Sequence, residues 1–148
     1  MTSAVACELC VLLAGAGDQP PVIWSNHLLA VVAVDDAAYP GFCRVIVQAH
    51  VKEMTDLPAS DRQALMEAVW QVELALRDVM LPEKVNLASL GNMTPHVHWH
   101  VIPRYADDAQ FPAPVWAPVQ RTTAADVLAQ RRALLPQLHA AIAARLGA

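Results

Sequence analysis

The stretch "TPHVHWHVIPRY", residues 94–105, carries the deciding pattern. His96, His98 and His100 recur at two-residue spacing, with Val97 and Trp99 between them and Val101 after. The chain has six histidines, and half of them fall in these five residues. Successive side chains of a β-strand point to opposite faces. A strand here therefore puts the imidazoles on one face and Val97, Trp99 and Val101 on the other. The apolar set suits packing on a helix, which leaves the imidazoles facing a site. A polar sheet face that happens to hold histidine is the plainer reading. Three in register, after a Gly91-Asn92 turn and before Arg104, argue against it. Two chemistries remain. His-x-His on a strand can chelate zinc. Alternatively, one neutral imidazole attacks an electrophile while its neighbours hold charge. Phosphate suits that role, because flanking imidazoles can donate to its oxygens as negative charge builds.

The segments around this strand fix its setting. "KVNLASLGN" (84–92) reads as a strand and turn. "LPASDRQALMEAVWQVELALRDVM" (57–80) reads as a long helix, with Ser60 as N-cap, Gln63 at the capping-box position and Pro82 marking the end. Leu65, Val69, Val72 and Leu76 recur at helical spacing and give it one buried face. "HLLAVVAVD" (27–35) and "FCRVIVQAH" (42–50) are β-branched apolar runs around the turn "DDAAYPG", so a hairpin-like pair. "GAGDQPP" (15–21) reads as a loop. "FPAPVWAPVQ" (111–120) holds three prolines and reads as an ordered arm or loop, and 123–147 as a helix that Pro136 kinks or splits. Strands this close in sequence leave no room for regular βαβ crossovers, so the expected class is α+β with a mainly antiparallel sheet.

Bulk composition narrows the function. The 148 residues imply one domain, 1–148, long enough for a real core. The net charge of −4, with no basic block, argues against nucleic acid as the main partner but not against a single nucleotide. No apolar run reaches membrane-span length, so no membrane partner is expected. The start "MTSAVACELCVLLAGAGD" lacks a basic n-region and carries Glu8, so a signal peptide is not expected and the reading is cytoplasmic. Cys7, Cys10 and Cys43 are an odd set, and in such a chain a Cys-x-x-Cys pair is more often a metal or redox site than a structural disulfide.

"HVHWHVI" resembles the signature of the histidine triad (HIT) family, His-φ-His-φ-His-φ-φ with φ apolar, at all seven positions. "CELC", "DDAAYPGFCRVIVQAHVKEMTDL", the long helix and "VNLASLGN" follow in family order. The resemblance covers a core of roughly residues 7–105. The arm and final helix, 106–148, are not explained by the core motif, and the arm is similar to the Phe-Pro…Pro-x-Trp tail of a branch of bacterial HIT hydrolases.

The resemblance implies a five-stranded α+β domain with a long helix and a C-terminal helix, pairing as a homodimer. It also implies a small-molecule nucleotide substrate attacked at its α-phosphate. His98 would be the nucleophile and His100 would bind phosphate, while the backbone carbonyl or the side chain of His96 would orient His98. A nucleotidyl-histidine would form and then be hydrolysed. Asn86 would contact the phosphate or leaving group, Asn92 the leaving group, and Asp35 the ribose hydroxyls. Ile23, Leu28, Asn26 and His27 are candidates near the base. No cofactor is implied for the chemistry itself. Some branches bind a structural zinc, and the matching ligands here are Cys7, Cys10, His50 and His96. Two positions depart from the family. Met93 stands where a hydroxyl residue usually helps bind phosphate, with Thr94 one place later as a substitute. Phe42 stands where histidine is common, and it cannot donate a hydrogen bond.

Overall fold

The computed structural model describes residues 7–15 and 21–147. Most of the expected 15–21 loop, residues 16–20, lies outside them. In chain order the elements are α1 (Glu8–Leu13), β1 (Val22–Ser25), β2 (Leu29–Ala33), β3 (Cys43–Val47), α2 (Ala59–Met80), β4 (Lys84–Ala88), β5 (His98–Arg104), α3 (Ala125–Ala133) and α4 (Leu135–Leu146). The five strands make one antiparallel sheet in the order β1-β2-β3-β5-β4. The class is the expected α+β. Strand β5 is hydrogen-bonded on both sides, to β3 and β4.

Alternation holds across the sheet. Val31 of β2, Cys43, Val45 and Val47 of β3, Val85 of β4 and Val101 of β5, with Val97 just before it, share one apolar face. They pack on Leu65, Val69, Val72 and Leu76 of α2 and on Leu138 and Ile142 of α4. Each such side chain contributes about 1.5–3 kcal/mol by leaving water, so this layer dominates stability. Trp99 joins the same face, its Nε1 donating to Met54 Sδ at 3.5 Å. At the corner before β3, Gly41 has φ +95°, and a Cβ there would meet Met80 Cε at 3.1 Å. Both the angle and the close packing require glycine.

One sequence expectation fails, one is met, and two short elements were not foreseen. Ser60 does not cap α2: the cap position is Pro58, with no side-chain bond, and its carbonyl accepts from Asp61 N and Arg62 N, both at 3.0 Å. Proline's fixed φ, here −56°, turns the chain into the helix without a hydroxyl. As expected, the C-terminal helix is split at Pro136, which sits in the first turn of α4, where its missing N–H costs nothing. Helix α1 has only six residues, too few to stand alone, and is held by burying Leu9 and Leu12 on Val32 and Ile46. Strand β1 is a four-residue edge, joined to β2 by a turn in which Asn26 Oδ1 accepts from Leu28 N and Leu29 N. Among the described residues no helix is long and apolar enough to cross a membrane.

Candidate active site

The second face of the sheet is the polar one. The register sets Arg44 against His100 and Ile46 against His98 on β3, and Ala88 against His100 on β4. Two structures cover this face. Helix α1 lies over Val32 and Ile46 at one end. At the other, the chain after β5 lays Ala109 and Val115 over Tyr39, Phe42 and Ile102. Between them run the histidines. His98 and His100 rings pack edge to face at 5.0 Å, and Phe42 and Trp116 meet His100 at 5.7 and 5.1 Å.

Backbone carbonyls assign the protons of two of these rings. His98 Nδ1 lies 2.6 Å from His96 O, and a carbonyl can only accept, so Nδ1 carries the hydrogen. In the neutral ring Nε2 then keeps its lone pair. Burial lowers the pKa of His98, and the nearby Arg44 charge adds to this, while the bond to the carbonyl opposes it. Burial, helped by His98 and Arg44, lowers His100 to about 4. Both rings are therefore neutral at neutral pH. His96 is bonded the other way: its Nε2 donates to Val47 O at 2.6 Å, leaving Nδ1 as the lone-pair nitrogen. Burial also lowers its pKa.

His96 Nδ1 faces a cluster. It lies 3.5 Å from both Cys7 Sγ and Cys10 Sγ and 3.2 Å from His50 Nδ1, and Cys10 Sγ lies 3.4 Å from His50 Nδ1. A tetrahedral zinc with ordinary Zn–N and Zn–S bonds sets its ligand atoms roughly 3.3–3.8 Å apart. The four separations given lie in or just below that range, all four ligand atoms lie within 4.8 Å of one another, and the residues could hold a metal ion. Burial raises the Cys10 thiol pKa, and the adjacent Cys7 raises it further; a bound cation would reverse both effects by favouring the thiolates.

A HIT domain model matches residues 19–107, more than half of the chain. The chain belongs to the HIT family. It is 27% identical over 121 residues to the Bacillus subtilis (strain 168) protein named Protein hit, covering 78% of this chain and 82% of that one. It is 27% identical to a histidine triad protein of known structure from Bradyrhizobium japonicum, covering 86% and 91% of the two chains with a TM-score of 0.68. A zinc-bound histidine triad family protein from Mycobacterium smegmatis shares the fold at 20% identity, with 94% and 99% covered and a TM-score of 0.61.

The other HIT candidate positions scatter. Asn86 faces the triad side of β4 and its Oδ1 accepts from Arg104 Nη1 at 2.7 Å, which turns its amide NH2 away from the arginine. Asn92 is exposed and lines a groove of about 1150 Å3 with His50, Lys52, Leu90 and Met93. Thr94 is half-buried, and its carbonyl accepts from His96 N at 2.8 Å; Met93 is 97% exposed, so its thioether contributes no packing here. Asp35 is exposed and lines a cavity of about 160 Å3 with Arg132, Leu135 and His139, on the helices rather than the triad. Ile23 and Leu28 pack on the α2 core. His27 is exposed.

Three features escaped the sequence reading. Arg44 shares the face of His98 and His100, a placement that follows from counting alternate residues once β3 is paired with β5. Trp116 reaches back from the arm to His100. The arm itself is anchored by Asp108, which takes a bidentate pair from Arg104 at 2.8 and 3.0 Å and the backbone N–H groups of Tyr105 and Phe111. Tyr39 OH bonds both Asp108 and Gln110. The i,i+4 spacing of Arg104 and Asp108 was the available signal.

Proposed function

We propose that this HIT-family protein is a nucleotide hydrolase acting on a nucleoside phosphoramidate or a dinucleoside polyphosphate. The observation that carries the proposal is the 2.6 Å bond from His98 Nδ1 to His96 O, which leaves Nε2 with a free lone pair on the face it shares with His100. His98 Nε2 attacks the α-phosphate, a P–N bond forms, and the bond to the leaving group breaks. Water then attacks phosphorus, the P–N bond breaks, and a nucleoside monophosphate leaves. His100 and the Asn86 amide bind phosphate oxygens as charge builds on them. Burial serves the step, since an imidazole held below its usual pKa is unprotonated when substrate arrives.

Cys7, Cys10, His50 and His96 would hold a structural zinc. Four protein ligands would leave no open position, so a bound ion would serve as a cross-link between α1, the segment after β3 and the segment before β5. Asn92 and Thr94 would contact the leaving group, and Asp35 a ribose hydroxyl. The protein would act as a homodimer in the cytoplasm. A second reading, a zinc-stabilised nucleotide-binding protein with little turnover, is favoured by Phe42, which offers His100 an apolar ring edge where a donor would assist catalysis. A nucleotidylyltransferase would use the same intermediate with another acceptor.

The test is AMP release from adenosine phosphoramidate and from diadenosine tetraphosphate, with and without inorganic phosphate as acceptor. Wild type should release AMP from at least one, and His98→Ala should lose roughly a thousandfold or more. Folded wild type that binds AMP but releases none would establish the binding-protein reading instead. A phosphate-dependent nucleoside diphosphate product would indicate transfer.

A further inference from the structure

Among the described residues, two buried side-chain nitrogens lack a hydrogen-bond partner: Arg44 Nε and His100 Nδ1. They belong to residues directly opposed across β3 and β5. Such residues carry their Cβ atoms about 5 Å apart on one face. Buried polar groups are normally paired, and a charged donor left unpaired is among the costliest omissions. Two omissions at one spot, one of them a guanidinium, suit an anion that arrives there. The charge of Arg44 lowers the pKa of both His98 and His100, in keeping with its place on their face of the sheet. Glu8 of α1 acts on the guanidinium electrostatically and is exposed, so it is a weak competitor.

Arg44 also answers the departure at Phe42. Residues 42 and 44 both serve this face, the first through its ring edge on His100 and the second through its register with it. The donor missing at 42 is thus supplied two residues on, as a larger and permanently charged group.

We propose that Arg44 binds the substrate's phosphate chain and sets the preference for leaving-group charge, favouring polyphosphate leaving groups over neutral amines. The proposal rests on the nucleotide-hydrolase reading of the same site. A phosphoramidate presents a single charged phosphate, and His100 and Asn86 can satisfy it. A polyphosphate presents further anionic oxygens beyond it, which is where an additional guanidinium discriminates.

The test compares kcat/KM for diadenosine tetraphosphate and adenosine phosphoramidate in wild type, Arg44→Gln and Arg44→Lys. Arg44→Gln should lower the polyphosphate value about 10- to 100-fold, mainly through KM, and the phosphoramidate value less than about threefold. Arg44→Lys should recover part of the loss. The ratio of the two substrates is insensitive to a misfolded fraction. Equal losses on both substrates, or none, overturn the proposal. If wild type turns over neither substrate, the hydrolase reading fails but Arg44 is still decided by equilibrium binding of ATP and AMP to wild type and Arg44→Gln. ATP binding at least about tenfold weaker in the variant, with AMP little changed, supports the phosphate-chain role; unchanged ATP binding ends it.

Discussion

His96 and His98 are the same residue type, two positions apart, on one face of one segment, yet they expose opposite nitrogens. His96 donates from Nε2 to the Val47 carbonyl and turns Nδ1 toward two sulfurs and a second imidazole. His98 donates from Nδ1 to the His96 carbonyl and keeps Nε2 as its lone-pair nitrogen, on the face it shares with His100 and Arg44. The surroundings differ accordingly: soft donors at a strand junction for one, a covered polar face for the other. A side chain's chemistry here is chosen by which nitrogen a backbone oxygen occupies, and that follows from strand register.

Substitution can separate the two ends. His98→Ala should abolish turnover while leaving metal content and thermal stability near wild type. Cys10→Ser should do the reverse first: bound metal, read by elemental analysis, is lost, and stability falls by on the order of 4 kcal/mol where the ion is present at a thousand times its dissociation constant. Treatment with a strong chelator should reproduce that loss in wild type. A Cys10→Ser protein with unchanged metal content and melting temperature would break the contrast.

Acid should act on the covering arm instead. Burial alone would raise Asp108, but the Arg104 hydrogen bonds and two backbone donors outweigh it and hold it at about 2, against an ordinary 3.8. A carboxylate depressed in the folded state contributes stability that is complete above the ordinary value. That contribution, about 2 kcal/mol, is lost as pH falls from near 4 to near 2. Chemical denaturation across that range should show the loss in wild type and not in Asp108→Asn. That variant should be less stable at pH 7 by about 3–5 kcal/mol, since it strands the buried Arg104. Trp116→Ala should have the smallest effect, a few-fold rise in KM, corresponding to loss of an aromatic contact of about 1 kcal/mol at His100. A hundredfold fall in kcat would make the indole part of the reaction machinery.

Much of this was legible from residue order. The alternation at 96–101 and the helical spacing of Leu65, Val69, Val72 and Leu76 each predict a face that is apolar in the fold. The four cluster residues span 7 to 96 in sequence, and it was the family resemblance, not spacing, that joined them before the structure did. What escaped is what depends on long-range register. The proton assignment of His96 requires knowing that Val47 presents its carbonyl there, whereas the His96 carbonyl behind His98 was implied by the family resemblance. Arg44 gains meaning only when paired with His100. Helix α1 and strand β1 are too short for periodicity to declare, and Ser60 looked like a cap because the hydroxyl was visible in sequence while the geometry imposed by Pro58 was not.

Strand β5 is bonded on both edges and backed by the α2 core, whereas α1 is held by a small apolar patch and the arm by the Arg104–Asp108 pair at its base. In hydrogen-exchange terms the molecule is graded. The amides of His98 and His100 should exchange only when the whole domain unfolds. The amides of α1, a six-residue helix, should exchange faster, through local opening. Local opening of a cover would then expose the polar face while the His98 ring stays fixed.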